Sequence, residues 1–124
     1  MFADWSSDGK DLAIMRNTAG LARLEYPIGT VVHESENLRN PRISPDGRLV
    51  AFFDHASGPN VSVSVVDKAG KSRVLTDGWR DWWFLAWSPD GKEVWFAAPE
   101  PGKSSLTSAL YAVSLSGQVR LLAR

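Results

Sequence analysis

WSPDGKEVWFAA, Trp87–Ala98, decides the fold because the chain states it three times: Ile43–Asp54 reads ISPDGRLVAFFD and Trp5–Arg16 reads WSSDGKDLAIMR. The turn glycines Gly9, Gly47 and Gly91 stand 38 and 44 residues apart, a period near forty. A second glycine follows in each copy: Gly29 in YPIGTVV, Gly70 in DKAGKSRVL and Gly117 in SLSGQVRLL, at 20, 23 and 26 residues from the first. Landmarks that persist while their separation grows place the growth in a loop.

The motif has a physical reason. Proline presets φ for the second position of a type I turn, aspartate bonds back to nearby backbone, and glycine takes the left-handed conformation from which a strand resumes. Such hairpins connect strands by three to five residues. FLAWS leads into the third turn and KEVWFAA leads out, while VSVSVV (Val61–Val66) begins with an alternation of period two. ARLEYP and LYAVSL hold the matching place in the other copies, and a short apolar run (TVVHE, SRVLT, QVRLLA) follows each second glycine. Every copy therefore offers four short strands, and no stretch carries a helical stripe.

Four antiparallel strands per forty residues describe a propeller blade. The expected fold is all-β: three four-stranded antiparallel blades over residues 1–35, 36–76 and 77–124, an incomplete β-propeller amounting to half of a six-bladed ring. A β-sandwich would also use twelve short strands, but gives no reason for one turn to recur at one place in every four-strand unit.

Composition narrows the function. The 124 residues hold 44% hydrophobic and 23% charged residues, a globular mixture, and fourteen basic side chains balance fourteen acidic ones. A chain without net charge is a poor partner for a phosphate backbone, so nucleic acid is not expected. The absence of cysteine excludes disulfides and thiolate chemistry. Apolar runs are too short to span a bilayer, so direct membrane insertion is not expected either.

The three quoted copies resemble the PD40 repeat, the WD40-like blade of TolB-type six-bladed propellers and of the propeller domains of prolyl-oligopeptidase relatives. More narrowly, the run from RLEYPIGTVVHES to LYAVSLSGQVRLLAR resembles the C-terminal sensor propellers of membrane-anchored bacterial serine/threonine kinases. That resemblance implies a binding or sensing role on the extracytoplasmic or periplasmic side of a membrane. No Gly-rich phosphate loop, HRD or DFG is present, so phosphoryl transfer does not carry over. The other parents such blades imply are a prolyl-oligopeptidase-like hydrolase, with the propeller as gate, and a TolB-like periplasmic interaction module. Adjacent Asp90 and Gly91 depart from the Asp-box of sialidases, which separates the two.

No catalytic group is expected in this chain, and no cofactor or metal is implied. His33 and His55 lie at strand ends without a metal-spaced partner, and read as surface residues beside loops. Ser44, Ser88, Asp46 and Asp90 are accounted for by the turns. TDGWRDWWF (Thr76–Phe84) holds three tryptophans around Arg80 and Asp81, residue types that dominate binding hot spots. Trp83 is expected to fill the space between blades; Trp79 and Arg80 fall in the interblade loop, where packing and recognition both remain open.

In an antiparallel meander successive connections alternate ends. The Ser-Pro-Asp-Gly and second-glycine turns should share one end, and the interblade loops and variable hairpins the other. Binding is expected at the variable end, over Asn37–Asn40, His55–Asn60, Thr76–Asp81 and Pro99–Thr107. Arg39, His55, Trp79, Arg80 and Asp81 are the candidate contacts, toward a protein or small-molecule ligand. Three blades cannot close a ring alone. The start at Met1, already inside a strand-like segment, leads us to expect a piece of a longer propeller, its end faces covered by the parent's remaining blades or by a second copy.

Overall fold

In the computed structural model, which describes residues 2–55, 60–104 and 107–124, the repeated turn has one geometry. The Ser44 hydroxyl donates to Asp46 Oδ1 at 2.6 Å, the Arg48 amide donates to the same oxygen at 3.0 Å, and the Leu49 amide donates to Ser44 Oγ at 3.0 Å. Gly47 completes the turn at φ 76°. Ser6, Asp8 and Gly9 repeat this arrangement, as do Ser88, Asp90 and Gly91. The serine that opens the motif thus closes the turn from inside. In the first copy, Ser7 replaces proline and its hydroxyl donates to the Pro45 carbonyl of the next turn at 2.8 Å, a contact proline could not make.

Twelve strands follow among the described residues: β1 (Phe2–Trp5), β2 (Leu12–Thr18), β3 (Leu21–Glu25), β4 (Val31–Ser35), β5 (Leu38–Ile43), β6 (Leu49–Asp54), β7 (Val61–Asp67), β8 (Ser72–Trp79), β9 (Phe84–Trp87), β10 (Glu93–Pro99), β11 (Ser108–Ser114) and β12 (Val119–Ala123). They form three antiparallel sheets in sequence order, β1 to β4, β5 to β8 and β9 to β12. The all-β, three-blade architecture expected from the repeat is the one observed. β5 begins at Leu38 and β8 runs on to Trp79, so Arg39, Asn40 and Trp79 are strand residues and not loop residues.

The core lies between blades. One cluster joins Ala13, Met15, Leu24 and Tyr26 of the first blade to Val50, Phe52 and Val66 of the second. The other joins Ala51, Phe53, Val63 and Val65 of the second to Leu85, Val94, Phe96 and Tyr111 of the third. The middle blade is consequently covered on both faces. In β7, Ser64 and Val66 are as buried as Val63 and Val65, and the simple inside-outside reading of VSVSVV gives way to two inside faces.

Repeated contacts dock blade on blade. Each fourth strand carries a β-bulge, at Val32, Leu75 and Leu122. A Cβ on Gly70 would lie 3.4 Å from the Val32 carbonyl oxygen, and one on Gly117 would lie 3.1 Å from that of Leu75. The second glycine of a blade is therefore the place where its turn meets the preceding blade's bulge. Inner strands are tied as well: Asp4 Oδ2 accepts from the Ile43 amide, and the Trp87 indole N–H donates to the Arg42 carbonyl, both at 2.9 Å.

Candidate functional site

The meander puts the three Ser-x-Asp-Gly turns and the three second-glycine turns at one end of the blades. At the opposite end the intrablade loops lengthen along the chain: residues 19–20, then 55–60, then 100–107. The growth between landmarks seen in the sequence is located there. Residues 56–59 and 105–106, within two of the expected binding segments, lie outside the described residues.

At that loop end, Trp79 closes β8 and packs inward. Its ring stands 4.9 Å from Phe96 and 4.7 Å from Tyr111, centroid to centroid, and its indole N–H donates to Thr76 Oγ1 at 3.1 Å. Trp79 therefore joins the second and third blades. Trp82, just before β9, stands edge-on to His55 at 4.8 Å and lies 6.1 Å from Phe53. Trp83, expected to be the packing residue, is instead 46% exposed. Trp83 precedes β9, its amide donating to the Ala97 carbonyl at 3.1 Å, and the space between the second and third blades is filled from this stretch by Trp82 and Leu85 instead.

Of the five candidates, four gather at one corner. Arg80 is exposed and its guanidinium donates to the Lys103 carbonyl, tying the interblade link to the long third-blade loop. With Gly78, Trp79, Pro99, Pro101 and Gly102 it lines a cleft of about 170 Å3. Asp81 is half-buried, and its carboxylate accepts from the Trp82 amide at 2.8 Å. His55 is held beneath by the Trp82 ring. Glu100 anchors the long loop by ion pairs to Lys103 at 3.3 Å and Arg124 at 3.2 Å. Arg39 stands apart in β5, its side chain donating to its neighbour Leu38's carbonyl at 3.1 Å.

A second group was not legible as a unit in the sequence. His33, read as a surface residue beside a loop, lies within β4; its Nε2 is 3.2 Å from Asp54 Oδ2, and its ring is 4.8 Å from Phe52. The Ser35 hydroxyl donates to Asp54 Oδ1. These three residue types are those of a hydrolase triad in the wrong order. A triad sets histidine between serine and carboxylate, whereas here serine and histidine share the carboxylate and the hydroxyl has no base. The arrangement fastens the first blade to the second. No cluster of histidine and carboxylate side chains able to hold a metal occurs among the described residues.

The turn end is polar and already occupied by its own contacts. A cleft of about 220 Å3 between the first two blades is lined by Asp8, Asp11, Tyr26, Asp46 and Lys68. Lys68 pairs with Asp11 at 3.2 Å over the Tyr26 ring, and Tyr26 donates to the Gly47 carbonyl at 2.6 Å. The hydroxyl of Ser6 holds the Asp8 carboxyl below its usual range, Ser44 does so for Asp46, and the Lys92 amide does so for Asp90. Burial pushes the Tyr26 phenol up.

This fold recurs in solved structures. TolB from Acinetobacter baumannii superposes with a TM-score of 0.78 at 22% identity, over 98% of this chain and 31% of that one. The chain has a β-propeller fold. The β-propeller domain of the Trilobed protease from Pyrococcus furiosus matches with a TM-score of 0.67 at 15% identity, over 98% of this chain and 42% of that one. A puromycin-hydrolyzing peptidase from Mycobacterium tuberculosis matches with a TM-score of 0.65 at 16% identity, over 98% and 23%. The chain thus spans well under half of the length of these solved proteins. No family model matches it, and no curated protein does.

Proposed function

We propose that this chain is a non-catalytic propeller segment that binds a protein partner through its loop end. The observation that carries the reading is the contrast between the ends: three near-identical, internally satisfied turns at one, and at the other loops of three different lengths around an exposed arginine and tryptophan. Variable loops on a rigid scaffold are where binding residues concentrate. The serine, histidine and aspartate that do meet are arranged for docking and not for acyl transfer.

For the parent protein, we favour the sensor region of a membrane-anchored bacterial serine/threonine kinase, supported by the long run of similarity from RLEYPIGTVVHES onward. A gating propeller of a hydrolase is the second reading, supported by the likeness in fold to the propellers of a protease and a peptidase. A TolB-like interaction module is the third. The coding sequence on either side separates them: a kinase domain and anchor, an α/β-hydrolase domain, or a secretory signal.

The binding face is tested by placing a photoreactive amino acid at Arg80 and, separately, at Lys92 in the parent protein within its own cells. The reading predicts protein adducts from position 80 and none from position 92. Adducts from position 92 alone would reject it.

A further inference from the structure

Arginine keeps its charge at every working pH and presents a planar fork of N–H donors, so what stands opposite an arginine in a cleft defines what the cleft can take. At the turn end the clefts set carboxylates beside their cations: Asp8, Asp11 and Asp46 beside Lys68, and Asp67 beside Lys71 and Arg73. The loop-end cleft of about 170 Å3 has Arg80 and no carboxylate in its lining. The nearby acids have other partners. Asp77 accepts from the Gly78 amide at 2.6 Å, Asp81 accepts from the Trp82 amide at 2.8 Å, and Glu100 pairs with both Lys103 and Arg124. Among the described residues Arg80 forms no ion pair, and its guanidinium donates to the neutral Lys103 carbonyl.

The rest of the cleft is firm and apolar. Trp79 is pinned against the Phe96 and Tyr111 rings and its indole N–H is spent on Thr76, so the wall it supplies is ring without a free donor. Pro99 and Pro101 have φ set by their rings, and Gly78 and Gly102 add no side chain. The Lys103 carbonyl holds one side of the Arg80 fork, which leaves the remaining N–H groups preorganised and lowers the ordering cost of binding. One wall is the link from β8 to β9 and the other the loop from β10 to β11. The site therefore forms between the second and third blades and does not depend on what adjoins either end of the arc.

We propose that this cleft receives the side-chain carboxylate of a glutamate or aspartate from the protein partner. The carboxylate meets the free part of the Arg80 fork, and its methylene stem lies against Trp79, Pro99 and Pro101. Size selects the source: sites for free small molecules run from about 300 Å3 upward, whereas about 170 Å3 suits one side chain. A guanidinium–carboxylate contact is among the stronger hydrogen-bonded pairs, and arginine and tryptophan are the residue types that dominate hot spots. The inference rests on the loop-end reading and adds to it the residue type that the partner brings.

The test is an NMR titration of this chain with three probes: a blocked pentapeptide carrying one glutamate among alanines, its glutamine counterpart, and butyrate as a free carboxylate with the same stem. The glutamate peptide should shift the Trp79 indole N–H and the Gly78 and Gly102 amides saturably, and the glutamine peptide should not. Arg80→Gln should abolish these shifts. Arg80→Lys, which keeps the charge without the planar fork, should weaken binding about tenfold. Both changes are at an exposed side chain and should leave the rest of the spectrum in place. The proposal is overturned by a glutamate peptide that gives no saturable shift, by an equal response to the glutamine peptide, or by shifts that survive Arg80→Gln or centre on the turn end. Butyrate binding as tightly as the peptide would overturn it too, by assigning the cleft to a free carboxylate. Photoreactive adducts from position 80 without peptide binding would refute this anchor and leave the loop-end reading standing. Peptide binding without adducts from position 80 would refute that reading, and with it the assignment of the cleft to a protein partner.

Discussion

Alanine at the three second-turn glycines should give a graded loss of stability that reads out blade docking. Gly29, Gly70 and Gly117 all have positive φ, at 96°, 84° and 90°, so each Gly→Ala change carries the same left-handed penalty of about 1–2 kcal/mol. The steric surroundings differ. A methyl group added at Gly29 would meet nothing within 4 Å, one at Gly70 would sit at ordinary contact distance from the Val32 carbonyl at 3.4 Å, and one at Gly117 would press on the Leu75 carbonyl at 3.1 Å. The Leu75 carbonyl is backbone inside a bulge and gives way only by bending angles, at about 1 kcal/mol for a deviation near 7°. The expected losses are therefore about 1–2 kcal/mol for Gly29→Ala and Gly70→Ala and about 2–3 kcal/mol for Gly117→Ala. Urea unfolding followed by tryptophan fluorescence measures them. Equal losses at Gly29 and Gly117, or a larger one at Gly29, would refute the bulge-to-glycine docking.

Trp79→Ala should destabilise by about 3 kcal/mol, since it removes a large ring from the interface between the second and third blades, whereas Arg80→Ala should stay within about 0.5 kcal/mol; thermal unfolding of the pair separates the packing residue from the binding candidate. Trp87→Phe should cost about 1 kcal/mol through loss of its hydrogen bond to the Arg42 carbonyl, and Trp5→Phe, at an exposed ring, should leave the stability unchanged in the same urea experiment. The carboxyls of Asp8, Asp46 and Asp90 are depressed in the folded chain, so their contribution is complete above the ordinary value of 3.8 and is lost as pH falls through the lowered values. The triple Asp→Asn variant should accordingly flatten the acid limb of a stability-against-pH curve below that value, and an unchanged limb would place acid sensitivity elsewhere.

The repeat made most of the fold legible. Ser-x-Asp-Gly specifies its turn locally, through bonds spanning two to five residues, and three copies of one turn fix where twelve strands begin and end. What was not legible depends on neighbours distant in sequence. Trp79 and Trp83 lie four residues apart in one aromatic stretch, and nothing local says which faces the adjoining blade. Trp79 ends a strand whose pairing with β7 is twice shifted and packs on Phe96 and Tyr111, while Trp83, just before β9, is left exposed. A strand covered on both faces also loses the alternation by which a half-buried strand is recognised. The His33, Ser35 and Asp54 cluster joins two blades across 19 and 21 residues; the one available signal was the repeat itself, which places the end of β4 beside the end of β6 in the next blade. The alternation of ends brings Arg80, Asp81, His55 and Trp79 to one corner, but the division between packing and exposure within that group is set by the third blade's rings, which no local pattern reveals.

The loop-end reading presupposes three blades stacked in order, with the middle one covered on both faces. Residue-resolved amide hydrogen exchange on this chain tests this most directly, because exchange protection reports local opening. The slowest amides should lie in β6 and β7, with β2, β3, β10 and β11 faster. Slowest amides in the first or third blade would contradict the stacking from which the rest follows.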